Sequence, residues 1–222
     1  LDGIWARRSP ASRSNYFFID LTEANVDEVI DIARRLGFEY ILVYAPHWAV
    51  SRGTYEINPE NYPNGLDGFR AVADRIHAAG LKVGIHCLTG FVAKADPLVT
   101  PVPDPRLARD GQVTLAADLD GGADFMPTVE SPSDFPDDIA FGLDRQGFDV
   151  LVDEEIISYR ELSTAAPFGL RHCTRGAHGT RPAPHAAGST VWHLTQRFNN
   201  YLVDCDTDLA DEVAQRYADV IN

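Results

Sequence analysis

The sequence predicts an α/β fold that begins with strand–helix units and continues into a β-rich segment. Three short apolar runs, Tyr16–Ile19, Tyr40–Tyr44 and Lys82–Cys87, are typical of parallel strands covered on both faces. Apolar residues at helical spacing lie between these runs. From Gln112 to about Val203 the helical spacing is lost, and short β-like pieces alternate with glycine, proline, aspartate and serine.

The first strand–helix–strand unit is predicted between residues 16 and 44. Its first strand ends at Asp20, and Thr22 stands where it can cap the helix that follows. Apolar side chains then recur every three or four residues as far as Leu36, and Gly37 ends the helix. Because the connections are short, the two strands are expected to be parallel, with a right-handed crossover.

The next helix and strand repeat this pattern. A long aromatic loop covers residues 45–55, and Tyr62-Pro63-Asn64-Gly65 predicts a turn. Helical spacing follows over residues 66–76. Gly80 can adopt the left-handed conformation that closes a helix, so Lys82 begins the third strand.

The rest of the chain divides into a β-rich segment and a last helix. Residues 91–111 contain several prolines and predict a loop. The β-like pieces are Val113–Ala117, Asp149–Val152, Glu155–Tyr159 and Thr190–His193. We expect this segment to have its own core, formed by Val152, Ile156, Ile157, Tyr159, Phe168, Leu170, Val191 and Trp192. Asp206 or Thr207 then caps a helix whose apolar stripe includes Leu209, Val213 and Tyr217.

Strand–helix units in a row favour either a (β/α)8 barrel or an open doubly wound sheet. No GxGxxG or GxxxxGK[ST] motif follows a strand, which weakens the nucleotide-binding version. A barrel needs eight strands, and the pattern supplies three. The sequence therefore predicts a partial (β/α)8 TIM-type barrel with a β-rich insertion after the third strand. The predicted parts are residues 1–111, three βα units; residues 112–203, the insertion; and residues 204–222, a helix returning to the barrel.

Composition limits the function classes. The chain has 222 residues and a formal net charge of -14, which argues against a nucleic-acid partner because such proteins need a basic face. No apolar run approaches the length that spans a membrane. The first residue is Leu1, so we expect a processed or excised piece, and the absence of a visible signal peptide says little about the compartment. An extracellular or periplasmic location is slightly favoured over a cytoplasmic one. Three cysteines without a CxxC motif do not predict a disulfide framework.

Polar and aromatic residues stand at or just after the predicted strand ends, the edge where α/β folds bind ligands. A sugar site needs aromatic platforms together with groups that hold hydroxyls. Trp48, with Tyr44 and Tyr55, could supply the platforms. The candidate substrate-binding residues are Asp20, Tyr44, His47, Trp48, His86, Thr89, Lys94 and Asp96. The alternatives are an Asp20 that merely starts the next turn, a core histidine at His86, a buried loop anchor at Trp48 and a solvated Lys94–Asp96 salt bridge.

No catalytic or metal-binding set stands out. Glycoside hydrolysis needs two carboxyl groups about 5–10 Å apart, and spacing alone singles out no pair. The run Asp153-Glu154-Glu155 predicts a solvated turn. The histidines of the β-rich segment match no metal-site spacing, and no G-x-S-x-G elbow is present. We therefore assign no catalytic residue and expect neither a metal nor a cofactor. The histidines concerned are His172, His178, His185 and His193.

Several segments carry a family resemblance. They are Ile19-Asp20-Leu21-Thr22, Gly37-Phe38-Glu39-Tyr40-Ile41, Asn61-Tyr62-Pro63-Asn64-Gly65-Leu66, Ala79-Gly80-Leu81-Lys82-Val83-Gly84-Ile85-His86 and the proline-rich run 96–105. With them, residues 16–106 resemble the start of α-galactosidase-like glycoside hydrolase barrels, in particular bacterial hypothetical glycosidases. The insertion resembles a small β-module of such proteins and of phage tail proteins through residues 153–159, 173–180 and 185–188.

The resemblance implies a retaining mechanism with two aspartates, one after the fourth barrel strand and one after the sixth. Both are expected beyond residue 222, so only Asp20 and the loop after Tyr44 carry over, as sugar-contacting positions. The sequence thus predicts a fragment of a glycoside hydrolase that acts on an oligo- or polysaccharide, with the remaining barrel from the same parent chain or a second polypeptide. Two alternatives stay open: a non-catalytic carbohydrate-binding or adhesion module, and a polysaccharide lyase with a tyrosine or histidine base.

Overall fold

The computed structural model describes residue 12, residues 14–137 and residues 148–221. The chain separates into two compact units, residues 1–88 and residues 89–222. Within the described ranges the fold is mixed α/β, with several small sheets and no closed barrel. None of the helices in those ranges is long and apolar enough to cross a membrane.

The first unit is built on a parallel sheet of β1 (Tyr16–Ile19), β2 (Tyr40–Val43) and β3 (Lys82–Ile85), in that order. In register, Ile19 lies beside Val43, and Val43 lies beside Ile85. This arrangement confirms the three adjacent parallel strands that the sequence predicted. Because the strands end level with one another, the residues that follow them lie along one edge of the sheet.

The helices of the first unit are α1 (Val26–Leu36), the single turn α2 (Ala45–Trp48) and α3 (Gly65–Ala78). Before α1, Thr22 and Asn25 exchange hydrogen bonds between their main-chain and side-chain atoms, so the turn at Thr22 precedes the helix. Gly37 closes α1 in the left-handed conformation, with φ 74°. Both long predicted helices are confirmed. Their buried stripes are Val26, Val29 and Ala33 in α1, and Phe69, Val72 and Ile76 in α3.

The two faces of the parallel sheet differ. Side chains alternate across a strand, so Ile41 and Val43 share one face, and both are fully buried. The opposite face carries Tyr16 and Phe18, which are 58% and 45% exposed, beside the half-buried Leu42. The apolar residues of β1 are therefore less covered than its hydropathy suggests.

The second unit is made of short antiparallel strands and one helix. A four-stranded sheet has the order β5-β11-β7-β8, and three-stranded sheets have the orders β6-β10-β9 and β12-β13-β4. The strands are β4 (Phe91–Ala93), β5 (Arg109–Thr114), β6 (Phe125–Pro127), β7 (Asp149–Val152), β8 (Glu155–Ser158), β9 (Glu161–Ser163), β10 (Gly169–Arg171), β11 (Thr190–Leu194), β12 (Gln196–Arg197) and β13 (Asn200–Leu202). The final helix, α4 (Asp208–Ile221), buries Leu209, Val213 and Tyr217.

The second unit has a hydrophobic core of its own, formed by Val113, Leu115, Leu119, Met126, Phe135, Val150, Val152, Ile157, Tyr159, Leu170 and Val191. Five residues of the expected core lie in this cluster. Ile156 is buried outside it, and Phe168 and Trp192 are half-buried. In the described part of residues 112–203 there is no long helix, which agrees with the β-rich segment that the sequence predicted.

Residues 91–111 include strands as well as the predicted loop. β4 pairs with β13, and β5 pairs with β11. These pairings are antiparallel and join residues far apart in the chain, so local sequence patterns did not reveal them. The β-rich unit consequently starts at residue 89, ahead of the boundary after residue 111 that the sequence suggested.

Candidate functional site

The carboxyl edge of the parallel sheet brings together polar and aromatic side chains that are exposed or half-buried. We call this set, Phe18, Asp20, Tyr44, His47 and His86, the strand-end cluster. Asp20 follows β1, Tyr44 follows β2, and His86 follows β3. The one-turn helix α2 starts directly after Tyr44, and its residue His47 reaches Asp20.

The Asp20 and His47 side chains contact each other at this edge. The imidazole Nε2 lies 2.9 Å from the Asp20 Oδ1, and the two side chains are 32% and 62% exposed. A pair this open to solvent adds at most about 1 kcal/mol to stability. Both groups remain accessible to a ligand, the carboxylate as a hydrogen-bond acceptor and the imidazole as a donor or acceptor.

An aromatic surface lies beside this pair. The Tyr44 and His86 rings stack at a centroid distance of 5.7 Å, with 25° between their planes. Phe18 meets both rings edge-on, at 5.2 Å from Tyr44 and 5.3 Å from His86. Tyr44 is 40% exposed and Phe18 is 45% exposed, so the group offers solvent an apolar ring surface.

One ring nitrogen of His86, Nδ1, has no hydrogen-bond partner among the described residues. Its main-chain N–H donates to the Val43 carbonyl at 2.8 Å, which continues the pairing of β2 with β3. Its side-chain Nδ1 is buried, and no residue in the described ranges hydrogen bonds to it. Leaving such an atom without a partner costs about 1–3 kcal/mol.

Trp48 does not supply the sugar platform that the sequence predicted. The side chain is fully buried, it stacks on Tyr55 at 5.5 Å, and its Nε1–H donates to the His86 carbonyl at 2.9 Å. Tyr55 is 2% exposed, and its hydroxyl donates to the Leu88 carbonyl at 2.9 Å. Both rings anchor the end of β3 and have no open face in this structure. The alternative of a buried loop anchor is the one that fits Trp48.

Thr89, Lys94 and Asp96 belong to the second unit. Thr89 is exposed. Asp96 is fully buried, where its Oδ1 accepts the Leu98 N–H at 2.9 Å and stabilises a turn. The alternative of a solvated Lys94–Asp96 salt bridge is wrong, because Asp96 is buried and the Lys94 Nζ lies 2.6 Å from the Asp149 Oδ2. Asp96 supports a turn, and Lys94 pairs with Asp149.

Asp149 is the centre of a buried polar cluster that sequence reasoning missed. We call Lys94, Asp149, Ser158, His178 and Tyr201 the Asp149 cluster. The Oδ2 also accepts the Tyr201 O–H at 2.7 Å and lies 3.0 Å from the His178 Nε2, while the Ser158 hydroxyl donates to Oδ1. Burial alone would raise the pKa of Asp149, but the His178 hydrogen bond and the Lys94 charge outweigh it and lower the pKa. The members of this cluster lie far apart in sequence, so no sequence motif predicts it.

A second buried network surrounds Glu155. Arg175 binds its carboxylate with two hydrogen bonds, of 2.8 Å and 2.7 Å, and the His185 Nε2 lies 2.8 Å from Oε2. The Asp153 Oδ2 lies 2.7 Å from the other ring nitrogen of His185. Glu155 is 1% exposed, so the expected solvated turn is wrong for this residue, although Asp153 is exposed. Every group in this network has a partner, which is typical of a structural role.

No grouping of three or more histidine, cysteine, aspartate or glutamate side chains suited to a metal occurs among the described residues. The cysteines there are unpaired as disulfides. Cys173 packs against the core of the second unit, and burial raises the pKa of its thiol to about 12. The thiol is therefore protonated at neutral pH and is a poor nucleophile.

Comparison with known proteins gives partial matches. No protein-family model matches the chain. An α-galactosidase of Oryza sativa subsp. japonica is 30% identical over 84 residues, which cover 34% of this chain and 19% of the relative. A probable α-galactosidase B of Aspergillus clavatus is 36% identical over 92 residues, 36% of this chain and 20% of the relative. One of Aspergillus fumigatus is 38% identical over 82 residues, 34% of this chain and 18% of the relative.

The chain spans about a fifth of the length of the curated relatives it matches. Among solved structures, an α-galactosidase from Lactobacillus brevis aligns with a TM-score of 0.36 and 17% identity, over 47% of this chain and 15% of that one. The sequence matches support a relation to glycoside hydrolases over part of the chain.

Proposed function

We propose that this chain is part of a carbohydrate-active protein of the glycoside hydrolase type, and that its strand-end cluster binds a sugar. The observation that carries the proposal is the exposed aromatic group of Phe18, Tyr44 and His86 beside the Asp20–His47 pair. The partial similarity to α-galactosidases supports it. In this proposal β1–β3 are the first strands of a (β/α)8 barrel, and the β-rich unit follows the third strand.

The cluster suits a neutral sugar. The apolar face of a pyranose ring packs well on an aromatic surface such as the one at Tyr44. The Asp20 carboxylate accepts hydrogen bonds from sugar hydroxyls. The formal net charge of -14 and the carboxylate at the edge both disfavour an anionic sugar.

Hydrolysis needs two carboxyl groups that flank the scissile bond. Asp20 is the one carboxylate in the strand-end cluster, so this cluster by itself can position a sugar but cannot complete the reaction. We propose that the nucleophile and the acid come from further barrel units, on the same parent chain or on a second polypeptide. Because the cluster has a single carboxylate, a second candidate function is a carbohydrate-binding module without catalysis.

The test is sugar binding by three variants of the chain. Tyr44→Ala removes one of the exposed rings and is expected to weaken binding of methyl α-galactoside about tenfold, the scale of one aromatic contact. Asp20→Asn is expected to weaken binding as well, because the amide is a poorer acceptor than a carboxylate. Tyr16→Ala is the control, since Tyr16 lies at the opposite end of β1 and is 58% exposed.

Isothermal titration calorimetry measures the affinities, and thermal melts show that each variant is folded. Equal affinities for Tyr44→Ala, Tyr16→Ala and the unaltered chain would contradict the proposed site. Release of p-nitrophenol from p-nitrophenyl α-galactoside then separates the two candidate functions. Binding without hydrolysis, by a longer chain that includes further barrel units, would favour the binding module.

A further inference from the structure

The Asp149 cluster presents one reactive group to solvent. Asp149 is 4% exposed, and donors fill both of its oxygens, so its carboxylate has little capacity left for a ligand. His178 is 27% exposed, compared with 15% for Lys94. Access to this cluster from solvent therefore leads to the His178 imidazole.

The hydrogen bonds define the state of that imidazole. Asp149 is ionised, so it accepts a proton-bearing nitrogen, and the His178 Nε2 is that nitrogen at 3.0 Å. In the neutral ring the proton sits on Nε2, and Nδ1 keeps a lone pair. Within residues 14–137 and 148–221, nothing forms a hydrogen bond to Nδ1. Nδ1 is thus the nitrogen available to a substrate or a water molecule.

The backbone at His178 is strained. His178 has φ 57° and ψ 26°, a left-handed conformation that is uncommon for a residue with a large side chain. Gly176 and Gly179 flank it with φ values of 60° and 85°. A Cβ at Gly179 would lie 2.7 Å from the Thr100 Oγ1, so the loop is closely packed. Strain of this kind persists where the surroundings fix a side chain in one position, and it is common at functional sites.

We propose that the His178–Asp149 pair is a second site, separate from the strand-end cluster, in which His178 acts as a general base in the hydrolysis of a neutral ester. A histidine with a carboxylate on one nitrogen and a free lone pair on the other is the base–orienter arrangement of hydrolytic enzymes. An ester fits better than a glycoside, because glycoside cleavage needs a second carboxyl group as acid, and Asp149 is held ionised. A neutral substrate fits because Asp149 already neutralises Lys94.

The reaction balances with water as the only co-reactant. The His178 Nδ1 takes a proton from water while the water oxygen attacks the ester carbonyl carbon. The carbonyl then re-forms, the bond to the alcohol oxygen breaks, and the proton passes from Nδ1 to the departing alkoxide. Asp149 stays ionised throughout and stabilises the imidazolium formed in between. The products are a carboxylic acid and an alcohol.

The experiment uses the full chain and p-nitrophenyl acetate as the probe. His178→Asn removes the base, and asparagine tolerates the left-handed backbone. General-base catalysis contributes about 10²–10⁴-fold, so this variant is expected to lose at least 100-fold in kcat/KM. The control is His172→Asn, because His172 also has a positive φ of 53° and is 60% exposed, but its carboxylate neighbours are 3.7 Å and 3.8 Å away. This control is expected to keep the wild-type rate.

A further measurement separates a catalytic role from a structural one. In the unaltered chain, nitrogen NMR is expected to show the proton on Nε2 in the neutral ring. The site is overturned if the unaltered chain hydrolyses the probe no faster than His178→Asn. Equal losses in His172→Asn and His178→Asn, or a proton on Nδ1 in the neutral ring, would overturn it too.

Discussion

At the scale of single residues, burial separates the histidine–carboxylate pairs into two kinds. The Asp20–His47 pair is 62% and 32% exposed and contributes little to stability. The His185–Glu155 pair is 1% exposed at both partners. In the second kind, loss of one partner leaves a charge in a site that water cannot reach. The same pairing therefore suits ligand contact at the sheet edge and structural support in the β-rich unit.

Asp149→Asn tests the cost of breaking an ion pair whose carboxylate is buried. The variant leaves Lys94, which is 15% exposed, without the carboxylate that neutralises it. Breaking one partner of a buried ion pair costs about 3–5 kcal/mol, and we expect a loss of that size in chemical denaturation. Asp124→Asn is the control, since Asp124 is 75% exposed and lies 3.8 Å from its nearest ionic partner. Its free energy of unfolding is expected to stay within about 0.5 kcal/mol of the wild type.

The free energy by which Asp149 stabilises the fold is expected to decrease at acid pH. The folded protein lowers the pKa of Asp149, so its stabilisation is fully present above the unfolded value near 4 and is lost as the pH falls toward the folded value. The stability gap between wild type and Asp149→Asn is therefore expected to be constant from pH 7 to about 5 and to shrink below about 4. A gap that widens on acidification would show that Asp149 is not ionised in the folded protein.

At the scale of elements, the single turn α2 follows β2 and contacts the end of β3 through Trp48. Trp48 ends this turn, is fully buried, and donates its indole N–H to the carbonyl of His86. The strand-end cluster depends on this contact, since His86 carries one of its four rings. The buried indole thus supports the exposed ring surface and does not form part of it.

Trp48→Ala is expected to destabilise the chain by about 3–5 kcal/mol, because it leaves a large cavity in the core. Trp48→Phe keeps most of the volume and loses the hydrogen bond, so a smaller loss of about 1–3 kcal/mol is expected. Tyr44→Ala is the comparison, since a 40% exposed side chain contributes less to the core. Denaturation curves measure all three. A Trp48→Ala variant with wild-type stability and lost sugar binding would restore Trp48 as a platform.

At the scale of the whole molecule, the two units are stabilised in different ways. The core cluster of the second unit runs from Val113 to Val191 and lies wholly within residues 89–222. The first unit rests on a three-stranded parallel sheet with two edge strands, β1 and β3, and with Tyr16 and Phe18 exposed on one face. Exposed strand edges and apolar faces promote association.

Separate expression of the two units tests this difference. Residues 89–222 are expected to be monomeric and to unfold in one cooperative transition, because every member of the core cluster belongs to this unit. Residues 1–88 are expected to self-associate through the open sheet. Analytical ultracentrifugation and thermal melts followed by circular dichroism give both answers. A monomeric, cooperatively folded 1–88 fragment together with an unfolded 89–222 fragment would reverse the assignment.

The sequence by itself determined the features that depend on neighbours along the chain. The apolar runs at residues 16–19, 40–43 and 82–85 form strands, which their length and the turn residues around them indicate. Their parallel pairing follows from the short connections between them. Gly37 and Gly80 both end helical segments with positive φ, as their position after an apolar stripe indicated. The change to a β-rich segment was also visible, through lost helical spacing and frequent turn residues.

Only the tertiary structure decided which polar groups meet and which rings are exposed. Lys94 pairs with Asp149, 55 residues away, although Asp96 is its near neighbour in sequence. Trp48 is buried while Tyr44, four residues earlier, is open to solvent. Glu155 is buried although it stands in an acidic run. The physical reason is the same in all three cases. Burial and ion pairing depend on segments that are distant in the chain, and a local sequence pattern does not show which distant segments will pack together.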